Sequence, residues 1–400
     1  MRIGMVLIGD FPPDTRVEKE ALSLVREGHE VFLLCLRFKK DIPAYENYRG
    51  IRVYREYILQ NIHKKLYALI ITVPFYRWFW RKRIYRFIQE NRIEVLHIHD
   101  LPLCGEGIRI AKKSTIPLVA DMHENYPELI QVQRFSNTLA GKLLISRKKW
   151  YSKEKTWLRQ IRQIVCVEKE MQTRMQAISP DSQFYIVPNT PDIQDLLQRQ
   201  EADASILQKK FGKFNLFYFG KTDNARGLDT LIEALAALKE KIPGVHAIIV
   251  GTGIFLDNYR SMAKAEGLEN NISFEEWQPE QVLKNYMEKV DLCVLPHKKS
   301  IQTDNSSPNK LFLYMAFRKA VVASNCNSIA RIIRENNCGL IFESGNAADM
   351  SEKILSLYAN KALRETYALN AFNAVSRKYN WKITVRPLIE LYAEIESEAP

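Results

Sequence analysis

The residue types best suited to chemistry in the second half of this chain lie on two loops that precede helices. The first loop carries Lys221 and Arg226 beside Gly220 and Gly227, directly after the apolar run at residues 216–219. Two cations after a buried strand, one of them able to bond two oxygens at once, suit a diphosphate. Such a loop is a weak signal when it stands alone.

The second loop leads into an apolar helix that carries Lys310. Ser307 is placed as an N-cap and Pro308 at the first helical position, so the sequence predicts a helix that begins here. The unpaired N–H groups of its first turn, its dipole and the ammonium of Lys310 all favour a bound phosphate. The alternative is an ordinary capped helix of an α/β domain.

The first half of the chain offers candidate residues at the ends of apolar runs. Asp10 and Arg16 follow the run at residues 3–8. Ligands of doubly wound parallel sheets sit at the carboxyl ends of the strands, so both side chains are placed to touch a substrate. The alternative is a loop stiffened by Pro12 and Pro13, with Arg16 in a surface ion pair.

Histidines and acids follow two further runs of the same half. The segments at residues 94–100 and 117–128 read as strands that end in His99-Asp100 and in His123-Glu124. Both pairs are expected at the ligand-binding edge of the sheet. The spacing of the histidines, including His97, matches no compact ligand motif, so we expect no metal site.

The elements that must position these residues alternate between strand and helix in both halves. That order predicts an α/β chain with parallel, doubly wound sheets. With 400 residues and 46% hydrophobic content, two domains can each bury a core. Six scattered cysteines without a CxxC pair indicate buried thiols in a reducing cytosol. Because the N-terminal apolar run is too short for a secretory signal, we expect a cytoplasmic protein.

The net charge of +12 is concentrated in part on residues 64–87, where Lys64 to Arg86 contains seven cations and no acid among aromatic residues. The apolar run is too short to span a bilayer, and Pro74 is expected to divide it into two helices. We expect this segment to lie on an anionic membrane surface, with a second basic cluster from Lys142 to Lys155 extending the face. The alternative is a pair of amphipathic helices with solvated charges. No nucleic-acid motif accompanies the charge, so nucleic acid is not expected as a partner.

The order and spacing of these motifs resemble the retaining GT-B glycosyltransferases often called glycosyl transferases group 1, over nearly the whole chain. The motifs that carry the resemblance are Arg16-Val17-Glu18-Lys19-Glu20, Leu96-His97-Ile98-His99-Asp100, the segment 121–128, Val187-Pro188-Asn189, Gly220-Lys221 with Arg226-Gly227, Ser307-Pro308-Asn309-Lys310-Leu311-Phe312, and Cys338-Gly339-Leu340-Ile341-Phe342. The resemblance implies two Rossmann-like domains facing across a cleft. Residues 1–195 would bind the acceptor, residues 196–375 the nucleotide sugar, and a C-terminal helix within 376–400 would return to the N-terminal domain.

The resemblance also implies roles for individual residues. Lys221 and Arg226 would neutralise the diphosphate leaving group, and His123 would lie over the transferred sugar. Residues matching the donor site are Gly220, Gly251, Asn305, Ser307, Asn309, Lys310 and Leu313, and those on the acceptor side are Asp10, Arg16, His99 and Glu124. The implied reaction is a metal-independent transfer of a hexose from a nucleotide diphosphate sugar, without a further cofactor. The acceptor would be a glycan or a lipid-linked molecule of cell-surface polysaccharide or glycoconjugate synthesis, at the inner face of the plasma membrane.

One departure from the family pattern concerns donor recognition. The family usually carries two glutamates that contact the donor sugar and the ribose, and the matching positions here are Asn305 and Leu313. Asn305 can still hydrogen-bond a sugar, whereas Leu313 cannot bond a ribose. Two alternatives therefore stay open: a non-catalytic GT-B partner or scaffold protein, and a nucleotide-sugar epimerase of the same architecture.

Overall fold

A computed structural model describes residues 1–130, 145–198, 211–278 and 280–398 of the chain. Two compact units divide it: unit 1 comprises Met1–Asn189 with Val385–Pro400, and unit 2 comprises Thr190–Thr384. The division falls a few residues before the expected boundary, and the C-terminal segment belongs to unit 1. Lys142 of the second basic cluster lies outside the described residues.

Unit 1 contains a sheet whose central strands are continuous apolar runs, as expected when helices cover both faces of a parallel sheet. Its strands pair in the order β3-β4-β2-β1-β5-β6-β7-β8, all parallel except the antiparallel pair β3 and β4. Their bounds are β1 Arg2–Asp10, β2 Glu30–Arg37, β3 Tyr45–Tyr48, β4 Ile51–Tyr57, β5 Val95–His99, β6 Leu118–Met122, β7 Gln163–Cys166 and β8 Gln183–Ile186.

The helices of unit 1 connect these strands. They are α1 Thr15–Arg26, α2 Gln60–Ala68, α3 Pro74–Asn91, α4 Cys104–Ser114, α5 Tyr126–Leu129, α6 Arg147–Leu158 and α7 Lys169–Gln176, with a 3₁₀ turn at Leu101–Leu103. Helix α1 begins where the Asp14 side chain accepts hydrogen bonds from the N–H groups of Arg16 and Val17. The predicted division of the basic aromatic segment at Pro74 is confirmed, because α3 begins there.

Unit 2 contains a second parallel sheet, with strand order β11-β10-β9-β12-β13-β14. Its strands are β9 Phe214–Phe219, β10 Val245–Val250, β11 Ile272–Glu275, β12 Leu292–Leu295, β13 Val321–Ser324 and β14 Gly339–Phe342. Two hydrophobic clusters pack against it, one on each face, which is typical of a doubly wound sheet. Strand β14 lies at one edge of this sheet.

The helices described in this part of the chain alternate with the strands. They are α8 Ile193–Gln198, α9 Leu228–Leu238, α10 Leu256–Ala265, α11 Glu280–Lys289, α12 Ile301–Asp304, α13 Asn309–Ala316, α14 Asn327–Asn336, α15 Ala347–Ala359, α16 Lys361–Arg377 and α17 Trp381–Thr384, followed in unit 1 by α18 Arg386–Ser397. None of the described helices is both long and apolar enough to cross a membrane.

The predicted start of α13 is wrong by one residue. Pro308, not Ser307, is the N-cap, with an extended backbone at φ −70° and ψ 132°, and no side chain caps the helix. A residue that precedes proline is disfavoured in the helical region, which keeps Ser307 in the loop. The Ser307 hydroxyl is therefore left for another partner.

Candidate active site

A cluster of buried and partly buried polar residues, called the histidine cluster, lies at the carboxyl ends of β1, β5 and β6 in unit 1. The cluster comprises Arg16, Glu20, His97, His99, Asp100, Asp121 and His123. The parallel register of β5 and β6 pairs His99 with Asp121, and the Asp100 N–H donates to the Asp121 carbonyl oxygen at 2.8 Å. The predicted meeting of the two strand ends is confirmed.

Asp121 is the hub of the histidine cluster. Its fully buried carboxylate accepts from Arg16 Nη2 at 2.8 Å, lies 3.0 Å from His99 Nδ1 and bonds His123 Nε2. Burial raises the pKa of this carboxyl, but the charges of Arg16 and His123 outweigh burial and hold the pKa well below its usual range. Asp121 is therefore an anion that orients a guanidinium and two imidazoles.

Arg16 forms a buried ion pair, so the alternative of a surface pair is wrong. Only 5% of the residue is exposed, and its Nε lies 3.0 Å from Glu20 Oε1, one helical turn along α1. Burial and the charge of Asp121 raise the pKa of Glu20 to about 8. At neutral pH, Glu20 is therefore mostly protonated and Asp121 is ionised. Asp121 is then the carboxylate that balances the charge of Arg16.

His123 and Asp100 are the members of the histidine cluster whose side chains are clearly accessible, at 13% and 21% exposure. The Asp100 carboxylate accepts from the His123 backbone N–H at 3.3 Å. Burial and Arg16 lower the pKa of His123, but Asp121 and Asp100 raise it more, to about 9. The accessible imidazole is therefore a cation at neutral pH that can donate a hydrogen bond to a ligand. His99 differs, because burial and the adjacent His97 lower its pKa to about 4.

Four members of the histidine cluster have the residue types that bind metal ions. Single ligand atoms of Glu20, His99, Asp121 and His123 all lie within 4.8 Å of one another. The Arg16 guanidinium, however, already lies 2.8 Å from Asp121 and 3.0 Å from Glu20. A divalent cation at this position would stand beside a fixed positive charge, which is electrostatically unfavourable. The arrangement suits internal charge balance better than metal binding.

The other two acceptor-side candidates are Asp10 and Glu124. Asp10 is exposed at the end of β1. Glu124 is half-buried directly after His123. Both stand at the carboxyl edge that the sequence predicts. Tyr392 of α18 reaches the cluster, with its hydroxyl 2.7 Å from His97 Nδ1.

Unit 2 carries the second group of candidate residues, on closely packed glycine loops at the carboxyl ends of its strands. A Cβ atom on Gly251 would lie 1.8 Å from the Gly220 carbonyl oxygen, and one on Gly227 would lie 1.8 Å from the Pro296 carbonyl oxygen. Gly220 and Gly227 also have positive φ angles, of 126° and 65°. Only glycine allows these loops to approach each other so closely. The loop that holds Lys221 and Arg226 is thus fixed against the ends of β10 and β12.

Lys310 enters this group of loops from the first turn of α13. Its Nζ donates to the Tyr218 hydroxyl at 2.8 Å. A Cβ atom on Gly220 would lie 2.6 Å from the Lys310 Nζ. Burial and the charge of Arg226 lower the pKa of Lys310 well below its usual value. The cations predicted from two separate motifs are therefore brought together, and their mutual repulsion would be relieved by a bound anion. Lys221, Arg226 and Lys310 are called the cation cluster below.

The remaining donor-site candidates differ in their surroundings. Asn305 is 9% exposed, and its amide nitrogen donates to the Ile301 carbonyl oxygen at 2.5 Å. The Ser307 hydroxyl is buried without a partner in the described chain, while Asn309 is exposed. Leu313 is 6% exposed within a hydrophobic cluster of unit 2. Its position therefore contributes packing and no polar contact.

Several residues that complete these groups are absent from the predicted site. Glu20 and Asp121 stand in quoted motifs, but no periodicity shows that they pair with Arg16. Tyr218 reads as an ordinary strand residue, and His297 follows Pro296 outside every motif. The available sequence signal for Asp121 and His297 was their position near the end of a strand. Asp121 is the penultimate residue of β6, and His297 lies two residues after β12.

Two parallel α/β units with ligand edges of this kind are the architecture of the GT-B glycosyltransferases. Sucrose-phosphate synthase from Thermosynechococcus elongatus shares the fold, with a TM-score of 0.80, 16% identity and full coverage of both chains. Anabaena HepE, solved with UDP and glucose, has a TM-score of 0.72 and 15% identity, over 98% of this chain and 100% of that one. A phosphatidyl-myo-inositol mannosyltransferase of Mycolicibacterium smegmatis is 23% identical over 99% of this chain and 94% of its own length.

Two family models match consecutive parts of the sequence. Residues 15–195 match Glycosyltransferase Family 4, and residues 198–374 match Glycosyl transferases group 1. The chain belongs to the group 1 glycosyltransferases of GT-B fold.

Proposed function

We propose that this chain is a retaining, metal-independent glycosyltransferase that moves a hexose from a nucleotide diphosphate sugar to a lipid-linked or glycan acceptor. The observation that carries the proposal is the cation cluster of unit 2. Lys298 is bonded through its backbone N–H to the Ala225 carbonyl oxygen on the loop that carries Arg226. Its Nζ forms an ion pair with Asp229 Oδ2 at 2.5 Å. The three cations of the cluster, in contrast, form no ion pair within the part of the chain that the structure describes.

An unneutralised cation cluster is suited to the leaving group of this reaction. As the glycosidic bond to the diphosphate breaks, negative charge grows on the phosphate oxygens, and donors fixed in advance stabilise it without reorganisation. Arg226 can bond two of these oxygens, whereas Lys221 and Lys310 act as point charges. In this proposal a phosphate oxygen takes the acceptor proton on the face where the leaving group departs, so configuration is retained.

The histidine cluster has a complementary role in the proposal. The His123 imidazolium donates a hydrogen bond to a sugar hydroxyl, and Asp121 holds the ring in the orientation that allows it. Arg16 balances the buried charge of Asp121, so no metal ion is needed for that purpose. Asp10 and Glu124 are accessible at the same edge of the sheet, and we assign them to the acceptor.

A lipid acceptor is favoured by the surface of α2 and α3. Four large apolar side chains there are strongly exposed: Leu59 at 52%, Ile62 at 47%, Phe75 at 60% and Trp78 at 55%. Lysines stand among them, and Lys82 Nζ lies 5.9 Å from the centre of the Trp78 ring. Apolar and aromatic side chains mixed with lysine suit the interface of an anionic bilayer. The M. smegmatis relative, whose name specifies a phosphatidylinositol acceptor, supports the same choice.

The first test is thermal unfolding with UDP, GDP, ADP, CMP and their sugar conjugates. A ligand that binds the folded state raises the melting temperature, so one diphosphate nucleotide should give a clear increase. Lys221→Ala and Arg226→Ala should remove this increase and sugar transfer, while the melting temperature without ligand should not fall, because each variant removes a cation from a mutually repelling group. Lys298→Ala is the matched control, because that lysine is already paired with Asp229. Equal transfer by both variants and the wild type would contradict the phosphate site.

Product analysis separates the remaining alternatives. Transfer with the donor's anomeric configuration, undiminished by a chelator, is the expected result. Conversion of the donor without an acceptor would instead identify an epimerase. Nucleotide binding without transfer or hydrolysis would favour the scaffold alternative, which Leu313 supports because it leaves the ribose without its usual partner.

Membrane binding is tested separately, by flotation with vesicles of phosphatidylglycerol and phosphatidylcholine. The double variant Phe75→Ala/Trp78→Ala should lose most vesicle binding. Lys64→Glu/Lys65→Glu should weaken vesicle binding and make the remaining binding less sensitive to salt, because it removes charge attraction to the anionic lipid. Leu369→Ala, which removes an apolar side chain that is 53% exposed on α16, is the matched control. Vesicle binding that survives the aromatic double variant would exclude this surface.

A further inference from the structure

His297 is a buried histidine whose ring has no partner. It follows Pro296 at the carboxyl end of β12, and only 1% of the residue is exposed. Neither Nδ1 nor Nε2 has a hydrogen-bond partner in the described chain. His246, the other histidine of unit 2, is equally buried but bonds the Asn270 carbonyl and the Ser273 hydroxyl. Buried polar groups are normally satisfied, so the ring of His297 needs an explanation.

The backbone at His297 packs against the loop that carries Arg226. The Lys298 N–H donates to the Ala225 carbonyl oxygen at 3.0 Å, and Gly227 can approach the Pro296 carbonyl only because it lacks a Cβ. Burial and the charges of Lys310 and Arg226 lower the pKa of His297 well below its usual value. The ring is therefore neutral beside two cations, with one N–H available to donate.

Other buried donors on the same loops also lack partners. They are the Thr222 hydroxyl, the Ser307 hydroxyl and Arg226 Nε. Hydroxyl, guanidinium and imidazole N–H groups are all donors, and a phosphate offers only acceptor oxygens to them. Several unsatisfied donors beside unpaired cations indicate an oxygen-rich anion as the missing partner.

We propose that His297 belongs to the donor site and that its imidazole donates a hydrogen bond to a phosphate oxygen of the nucleotide diphosphate. This inference rests on the proposed function, and it adds a residue that no motif of the sequence identifies. Because no group among the described residues satisfies the ring, its removal should cost the unliganded protein little. A role in packing alone predicts the opposite pattern, in which the stability of the unliganded protein falls and nucleotide affinity stays the same.

The experiment is calorimetric titration of the nucleotide diphosphate that raises the wild-type melting temperature. His297→Leu should weaken its binding about tenfold, as expected for the loss of one hydrogen bond to a charged group. His297→Asn, which keeps an N–H donor, should recover part of the affinity. His246→Leu is the matched control for loss of a buried imidazole in unit 2. It should lower the melting temperature, because it breaks two hydrogen bonds, and leave the affinity of the folded protein unchanged.

The outcomes distinguish the two proposals. If the wild type binds a nucleotide diphosphate and His297→Leu binds it equally well, the inference about His297 is overturned and the proposed function stands. If the wild type binds none of the nucleotides tested, both are overturned. The ring nitrogens of His297 provide a readout that does not depend on a variant. Their ¹⁵N resonances should move on addition of nucleotide, and static resonances at saturating nucleotide would overturn the inference.

Discussion

Replacement of Asp121 by asparagine tests whether this carboxylate keeps His123 charged. Asparagine preserves the shape of the side chain and one acceptor oxygen but removes the negative charge. In the wild type the difference between the ordinary pKa of 6.5 and the value of about 9 corresponds to about 3 kcal/mol of preference for the imidazolium. In Asp121→Asn, burial and Arg16 still lower the pKa of His123, so the pKa should fall to 6.5 or below.

The sign of the effect on stability follows from the direction of the shift. A histidine whose pKa is raised by folding contributes stability that is fully present below about pH 6.5 and is lost as the pH rises through about 9. Glu20 acts in the same direction over a lower range, because its pKa is also raised by folding. The wild type should therefore unfold more easily at pH 9.5 than at pH 6, and Asp121→Asn should show a smaller difference.

Two measurements check this prediction. Histidine ring resonances in a pH titration give the pKa of His123 directly, and the alkaline limb of kcat against pH should move with it from about 9 toward neutrality in Asp121→Asn. Glu20→Gln is the matched comparison, because it alters the same cluster but keeps Asp121 and Asp100, the two carboxylates that raise the pKa of His123 most; it should move the His123 titration much less than Asp121→Asn does. An unchanged His123 resonance in Asp121→Asn would refute the argument.

Three further predictions concern unit 2. Gly227→Ala should cost more than about 1 kcal/mol of unfolding free energy and remove nucleotide binding, because φ is 65° and the Pro296 oxygen occupies the Cβ position; urea unfolding and titration check both. Lys310→Met should raise the melting temperature without ligand, since it removes a cation repelled by Arg226, and should abolish the increase given by nucleotide. Leu313→Glu should lower the unfolding free energy rather than increase nucleotide affinity, because the side chain lies in an apolar cluster.

Hydrophobic periodicity was sufficient to predict most of the fold. Parallel strands that are covered on both faces, such as β1, β2, β9 and β10, have continuous apolar sequences. They can therefore be identified without knowing which strands they pair with. Strands β3 and β4 were not predicted; β3 is an edge strand of the unit 1 sheet, and β4 is the strand next to it. There half of the side chains face solvent and polar residues alternate with apolar ones. An edge strand of this composition is hard to distinguish from a loop.

The candidate site was only partly predictable, because its parts come from distant positions in the chain. A strand end is visible in the sequence, and this was enough to place His99, His123 and Lys310 at ligand edges. Pairing is not visible: Arg16 and Asp121 are 105 residues apart in sequence, and only the sheet order brings them within 2.8 Å. The unsatisfied ring of His297 is likewise a property of three-dimensional surroundings.

If the proposed donor site is correct, the two departures from the family pattern would shift donor recognition from the nucleoside toward the phosphates. Leu313 is packed in an apolar cluster, and the amide nitrogen of Asn305 is used on the Ile301 carbonyl, so neither position supplies a carboxylate. The cation cluster, in contrast, is complete and has no acid paired with it in the described chain. Binding energy that depends on charge is reduced by salt. Hydrogen bonds to the ribose hydroxyls, in contrast, would recognise the nucleoside part of the ligand. A donor site built in this way would hold a diphosphate firmly and leave the choice of base and sugar to the loops around it.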